Sequence, residues 1–425
     1  MKVLYDISLL GYAHGNNWPR TGLVRAMETT AYYLADSLEC SLTLCAGDSF
    51  AALQGVQAYL KNHPRLGKVP LAYSHLDARF ETTINKLNKR IKETGPHNYG
   101  LRAARKTLHC SRKWLRSGRG TLDAGSLRQG QIFHSPFLPI PKIVHQTGGL
   151  KVFLTVYDLI PQFFPELCHD GAPAMLGATL QSLKPDDWVL CISEATRNDL
   201  CNHLPQMDPK KVLVTYLGAS DGFFPCKDPV MIAGVRNKYG IPDGPYILSL
   251  SSLDPRKRMD HLIQCFARMV QVQNISDLNL VLAGPKGWKY EKIFEMLSEH
   301  SDLKRRIILT GFVDDDDLPA LYSGALAFAY PSLYEGFGLP VLEAMQCGVP
   351  VITSNTSSLP EVAGNAGIMV NPKDGDALCQ AMLEVHRNPA LRRQLSSNAL
   401  ERSRRFSWQK SVDETIAAYQ AALKD

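Results

Sequence analysis

No apolar run in the chain reaches the length of about 18 residues that a membrane-spanning helix needs. The opening Met1-Lys2-Val3-Leu4-Tyr5-Asp6 holds too short an apolar stretch for an export signal. The expectation is a protein that begins at or near Met1 and stays in the cytoplasm. C-x-x-C is absent from the ten cysteines (Cys40, Cys45, Cys110, Cys168, Cys191, Cys201, Cys226, Cys265, Cys347 and Cys379). Tight Cys or His spacing of the zinc type is absent too. Scattered thiols such as Cys191 in Trp-Val-Leu-Cys-Ile read as small buried hydrophobes in a reducing compartment. Charged residues are only 21% and aromatics 8%, against 45% hydrophobic, which excludes a disordered or collagen-like chain. At 425 residues the chain exceeds one ordinary core, so two to three domains are expected.

Acidic residues are scarce in one place. From Lys86 to Arg128 twelve Lys and Arg face only Glu93 and Asp123, although the whole chain carries just +6. Lys86-Leu-Asn-Lys-Arg-Ile-Lys92 and Arg112-Lys-Trp-Leu-Arg116 set basic residues among Leu, Ile and Trp at roughly helical spacing. One reading is an amphipathic element docking on an anionic membrane face or an acidic lipid-linked ligand, each cation adding about 1 kcal/mol. A solvated insertion is the plain alternative. No nucleic-acid reader motif accompanies the charge, so no nucleic-acid partner is expected.

Short apolar runs alternate with helical patterns along most of the chain. Lys2–Leu9 reads as a strand followed by a Gly/Asn-rich loop over 11–22, and residues 61–130 read as irregular. Ile132–Pro136, Lys151–Tyr157, Trp188–Ile192 and Lys211–Tyr216 read as further strands. Gly218, Gly222 and Pro225 break the pattern, which then restarts from Tyr246 to Thr353. Such alternation predicts an α/β fold of two doubly wound halves with parallel sheets. The expected domains are 1–222 with a basic insertion at 61–130, 223–405, and a last helix over 406–425 packing back on the first domain.

Pro331-Ser-Leu-Tyr-Glu-Gly-Phe-Gly-Leu-Pro-Val-Leu-Glu-Ala-Met-Gln-Cys-Gly-Val-Pro-Val-Ile352 reads strand, tight loop, helix, loop, strand. Gly336 and Gly338 let the backbone turn sharply beside a ligand, and Pro340 suits the first helical turn. A helix opening after a Gly-rich loop is a ready anion site, for which a diphosphate is the obvious guest. Glu335 and Glu343 can reach two parts of one ligand, as carboxylates that accept from sugar hydroxyls. The alternative is a pair of exposed carboxylates that merely favour the helix dipole.

The same segment resembles the E-x(7)-E signature of glycosyltransferase family 4, retaining enzymes of the GT-B fold. Leu248-Ser-Leu-Ser-Ser-Leu-Asp-Pro-Arg-Lys-Arg258, Leu280–Trp288, Ile308–Val313, Ser357–Gly364 and Phe406–Trp408 are similar to that family in order and spacing. Val152–Pro161 and Cys191–Arg197 match more loosely. The resemblance implies two Rossmann-like domains facing a cleft. It also implies roles. Lys257 with Arg256 would hold the donor diphosphate and stabilise the leaving nucleotide. Glu335 would contact the donor sugar, and Glu343 the ribose. Backbone N–H groups of Gly336, Phe337, Gly338 and Leu339 would meet sugar and phosphate. Ser252 and Gly284 belong to the donor-binding set, Gly311, Phe312 and Val313 would border the base, and Gly22 would approach the diphosphate from the first half. No metal and no cofactor are expected.

One departure stands out. Many members carry His-Asp where this chain has Tyr157-Asp158, and Tyr157 does not switch protonation near neutral pH. Tyr157 and Asp158 are still candidates for the catalytic set, and His134 is a candidate neighbour. Asp314-Asp-Asp-Asp317 could suggest a metal site but precedes Leu318-Pro319 and reads as an acidic helix start. Pro255–Arg258 and Gly284–Trp288 look like those of bacterial polysaccharide mannosyltransferases. The expected reaction is hexose transfer from a nucleotide-sugar, GDP-mannose first, to a glycan or lipid-linked oligosaccharide. The alternatives are a UDP- or deoxyhexose-nucleotide donor and a non-catalytic binding scaffold.

Overall fold

A computed structural model describes residues 1–18, 22–47, 49–94, 98–116, 121–287 and 289–425. Trp288 and parts of the basic stretch (95–97 and 117–120) lie outside the described residues. Two parallel sheets dominate. The first comprises β1 (Lys2–Asp6), β2 (Ser41–Cys45), β3 (Leu71–Ala72), β4 (Ile132–Ser135), β5 (Lys151–Val156), β6 (Trp188–Cys191) and β7 (Val212–Val214). Its spatial order is β3-β2-β1-β4-β5-β6-β7. The second comprises β8 (Tyr246–Leu250), β9 (Asn279–Ala283), β10 (Ile307–Gly311), β11 (Ala327–Tyr330), β12 (Val351–Ser354) and β13 (Gly367–Val370), in the order β10-β9-β8-β11-β12-β13. Each order reverses once, beside β1 and beside β8, which is the doubly wound Rossmann-like arrangement. The central strands are buried along nearly their whole length because helices cover both faces.

The helices follow from spacing. Helix Met259–Val272 buries Met259, Leu262, Ile263, Phe266, Met269 and Val270, a stripe at intervals of three and four that seats it on the second sheet. Helix Trp408–Lys424 starts with the Ser407 side chain accepting from Lys410 N–H. It buries Val412, Ile416, Tyr419 and Ala422 in the core of the first sheet, not the second.

Two sequence readings are corrected. The 11–22 loop is in part a helix, Ser8–Gly15, started where Asp6 Oδ1 accepts from Ser8 N–H at 2.7 Å. Gly11 is there for packing, because a Cβ would lie 2.6 Å from the Ala52 carbonyl of the helix Phe50–Asn62. The irregular reading of 61–130 is also wrong. Helices His75–Thr94 and Tyr99–Arg116 occupy its centre and fold back on each other, with Arg105 Nη1 donating to Asn88 Oδ1 at 3.1 Å. Their apolar period is clear, but the dense charge keeps their mean hydropathy low. The reading also passed over β13 and the helices Ala172–Gln181 and Pro229–Lys238. Short or weakly patterned segments carry little periodic signal.

Tyr419→Ala is expected to cost about 3–5 kcal/mol, since the ring is fully buried against Phe153 and His134. Urea unfolding checks this, and a loss below about 1 kcal/mol would show that the last helix is not integral to the first half.

Candidate active site

Strand ends of both sheets converge on one cleft of about 520 Å³. From the first half come Tyr157 and Asp158 after β5, Ile192 after β6, and Gly22, Leu23 and Arg25 from the helix Gly22–Asp36. From the second half come Ser251 and Ser252 after β8, Gly284 after β9, Phe312 and Val313 after β10, and the loop after β11. Carboxyl ends of parallel strands are where doubly wound sheets place their ligands.

Three charges sit together at its floor. Pro255–Lys257 form a single tight turn, and Arg258 in the left-handed conformation (φ 58°) starts the next helix. This turn aims both cations at Glu335. Lys257 Nζ lies 2.5 Å and Arg256 Nη1 2.9 Å from Glu335 Oε1. Ser332 Oγ donates to the same oxygen at 2.6 Å. Lys257 Nζ also donates to Tyr330 Oη at 2.5 Å, and Arg256 to the Tyr334 carbonyl at 2.6 Å. Among the described residues no partner meets Glu335 Oε2. Burial pushes the Glu335 carboxyl up, but Arg256 and Lys257 outweigh it and hold the group at about 2, down from 4.5. Burial and the neighbouring Arg256 lower Lys257, against the pull of Glu335. Asp158 is raised by burial, with Arg256 opposing.

Glu343 lies a helical stretch further on, fully buried. Arg25 Nη2 reaches across from the first half to Oε1 at 2.8 Å, and Tyr322 Oη donates to Oε2 at 3.2 Å. Burial raises its carboxyl even against Arg25. Between the two glutamates no side chain caps the helix Leu339–Gln346, whose N-cap is Gly338 at φ 107°. Gly336 is required by close approach: a Cβ there would lie 2.2 Å from the Tyr157 carbonyl of the opposite half. A Cβ on Gly22 would meet only Leu339 Cδ1, at 3.4 Å.

Most of the residues singled out in the sequence therefore line one cleft. Gly311 does not; its carbonyl accepts from Gly284 N–H at 2.8 Å and ties the ends of β9 and β10 together. Phe312 stands at the rim with 64% of its surface exposed. His134 is a core histidine and not a cleft residue: it is buried beneath the first sheet's helices, with ring nitrogens on Tyr419 Oη and Thr155 Oγ1, and burial lowers its pKa to about 3. The acidic run is an ordinary helix approach, with Asp314 and Asp317 held by Lys238 at 2.7 and 2.6 Å. Burial raises the Tyr157 hydroxyl.

Sequence reasoning missed Arg25, Tyr322, Tyr330, Ser332 and Glu361. Ser332 and Tyr330 had a signal, because they flank the end of a buried strand. Glu361 from the second half accepts from Glu194 and Ala195 N–H at 2.8 and 2.7 Å, capping a helix of the first half. Ser251 Oγ and Asp254 Oδ1 beside the cleft are buried with no partner among the described residues. Polar groups in this state call for a polar ligand.

A cleft between two Rossmann-like domains, with a helix start and paired cations at its floor, has the form of a site for a polar, anionic ligand. Residues 233–402 match the model for glycosyl transferases group 1. The chain is 31% identical over 288 residues to O-antigen chain mannosyltransferase B of Escherichia coli, covering 68% of this chain and 74% of that one. It is 36% identical over 194 residues to the serotype-specific mannosyltransferase WbdA of Escherichia coli, covering 45% of this chain but only 24% of that protein. Anabaena HepE, solved with UDP and glucose, superposes with a TM-score of 0.65 over 99% of both chains at 15% identity. The chain belongs to the group 1 glycosyltransferases and has their GT-B fold.

Glu335 has a folded pKa below its ordinary value, so its ionised form contributes stability above pH 4.5 that is lost as pH falls towards 2. Glu335→Gln is expected to flatten the fall in melting temperature across that window. Parallel slopes for the two proteins would show that the cations do not hold this carboxylate.

Proposed function

We propose that the protein transfers a mannosyl residue from GDP-mannose to a hydroxyl of a growing surface glycan or lipid-linked oligosaccharide, with retention at the anomeric carbon and without a metal. The observation that carries this reading is the buried pair Arg256 and Lys257 sharing Glu335 beside the uncapped start of Leu339–Gln346. Two cations brought together beside a helix start suit a departing diphosphate. The anomeric bond to the diphosphate breaks, the acceptor oxygen bonds in its place, and the acceptor proton leaves with the diphosphate. Glu335 Oε2 takes a hydroxyl of the donor sugar, Glu343 the ribose hydroxyls beside Arg25, and Phe312 the face of the base. The mannosyltransferase relatives favour mannose as the sugar.

A thermal-shift panel of GDP, UDP, dTDP and ADP with their sugar conjugates tests the donor. Ligand at about 100 times its dissociation constant adds about 2.7 kcal/mol. GDP-mannose is expected to shift the wild type with EDTA present, and Lys257→Ala and Glu343→Ala are expected to lose the shift. A shift confined to UDP or dTDP reassigns the donor, a need for divalent metal ends the metal-free reading, and no shift at all leaves a scaffold. An α-linked product, read by NMR, tests retention.

The helical hairpin His75–Thr94 and Tyr99–Arg116 is the proposed contact with an anionic membrane face. Lys86, Lys89, Arg90, Arg102 and Lys106 on it are exposed. No helix among the described residues is long and apolar enough to cross a membrane. Reversing these five charges to Glu is expected to abolish sedimentation with phosphatidylglycerol vesicles at low salt while leaving nucleotide binding intact. Unchanged sedimentation would assign the hairpin to solvent.

A further inference from the structure

A second cavity, of about 580 Å³, lies in the first half behind the helix Gly22–Asp36. Its floor is a carboxylate: Glu28 is 3% exposed, accepts from Tyr59 Oη at 2.6 Å and lies 3.5 Å from His63 Nε2. Its walls are rings. Tyr59 and His63 stack at 3.9 Å between centroids, and His14 meets Tyr59 edge-on at 6.0 Å. Tyr32 lines the cavity one turn after Glu28, and Trp18 stands at its rim, 51% exposed.

This lining is costly as mere packing. Burying the Glu28 carboxylate takes polar partners, Tyr59 and His63 among them, where an aliphatic side chain would complete a simple core. A large half-exposed indole beside it gains little from folding. The combination suits one class of ligand. A pyranose ring presents a flat C–H face that stacks on an aromatic ring, and hydroxyls that bond to carboxylate and imidazole. Placement points the same way. Gly22, Leu23 and Arg25 on the first turns of this helix line the donor cleft, whereas Glu28 and Tyr32 on its next turns line this cavity. Successive turns are only about 5 Å apart along a helix axis. The two sites are thus neighbours along one helix.

We propose that this cavity is an acceptor subsite, holding a hexopyranose unit of the glycan behind the unit that receives the new sugar. The inference rests on the glycosyl-transfer reading of the cleft and adds the residues that select its acceptor. Trp18 stacks on the sugar face, and Glu28 and His63 meet its hydroxyls.

Titration of the full chain with an α-linked mannotriose, by calorimetry and by tryptophan fluorescence, tests it without any nucleotide. The wild type is expected to bind, Trp18→Ala to bind about tenfold more weakly, and Trp18→Phe to recover part of the loss. His63→Ala provides a second probe from the opposite wall. In turnover, Trp18→Ala is expected to raise the KM for the mannotriose and leave the KM for the donor unchanged. Its GDP thermal shift and melting temperature are expected to match the wild type, because the side chain is half-exposed. Wild-type affinity in both Trp18→Ala and His63→Ala overturns the assignment, as does failure of the wild type to bind mannotriose or the corresponding gluco- and galacto-trisaccharides. A chain that binds the trisaccharide but no nucleotide keeps this subsite and loses the donor reading, so the two failures are separable.

Discussion

Two cations are held on one buried carboxylate at the floor of the cleft, and the surrounding architecture serves that arrangement. Burying Glu335, Arg256 and Lys257 is tolerable only if each charge has a partner at close range. The partners come from two segments far apart in the chain, the turn after β8 and the loop after β11, which the second sheet makes neighbours. Ser332 and Tyr330 add hydrogen bonds at the same point. The site is thus assembled before a ligand arrives, which spares the reorganisation that a flexible charge cluster would undergo on meeting one.

The seam between the halves is equally specific. Glu361 caps the helix Glu194–His203 of the opposite half, Tyr334 Oη donates to Asp199, and Thr196 Oγ1 lies between the carbonyls of Tyr157 and Gly336. Glycine at 336 admits the backbone of Tyr157 where any side chain would push the halves apart. Arg25 spans the same gap to reach Glu343. These contacts tie the first half to the second across the cleft, so that the helices Gly22–Asp36 and Leu339–Gln346 are held in a fixed relation.

How much was legible follows from the range of each interaction. The strand–loop–helix unit around Glu335 could be read because its glycines, Pro340 and the two glutamates act within a few residues of each other. The basic hairpin over 75–116 was recognised as charged and amphipathic but not as two helices, since its low mean hydropathy made a segment with a clear helical period look like a solvated insertion. His134 illustrates a residue the sequence leaves open. A histidine at a strand end reads as a core residue or a cleft neighbour, and Tyr419, 285 positions away, satisfies its ring in the core.

The amino-acid sequence by itself determined the alternating strands and helices, the class of two doubly wound halves, and the glycine-rich turn that opens the helix at Leu339, because each depends on side-chain period or on backbone freedom at Gly and Pro. Only the tertiary structure decided that Arg25 answers Glu343, that Glu361 caps the opposite half, and that Trp18, Glu28, Tyr59 and His63 enclose one cavity. Those contacts join residues tens to hundreds of positions apart. Their geometry is set by how helices pack on the sheets and how the two halves meet, and no spacing along the chain encodes it.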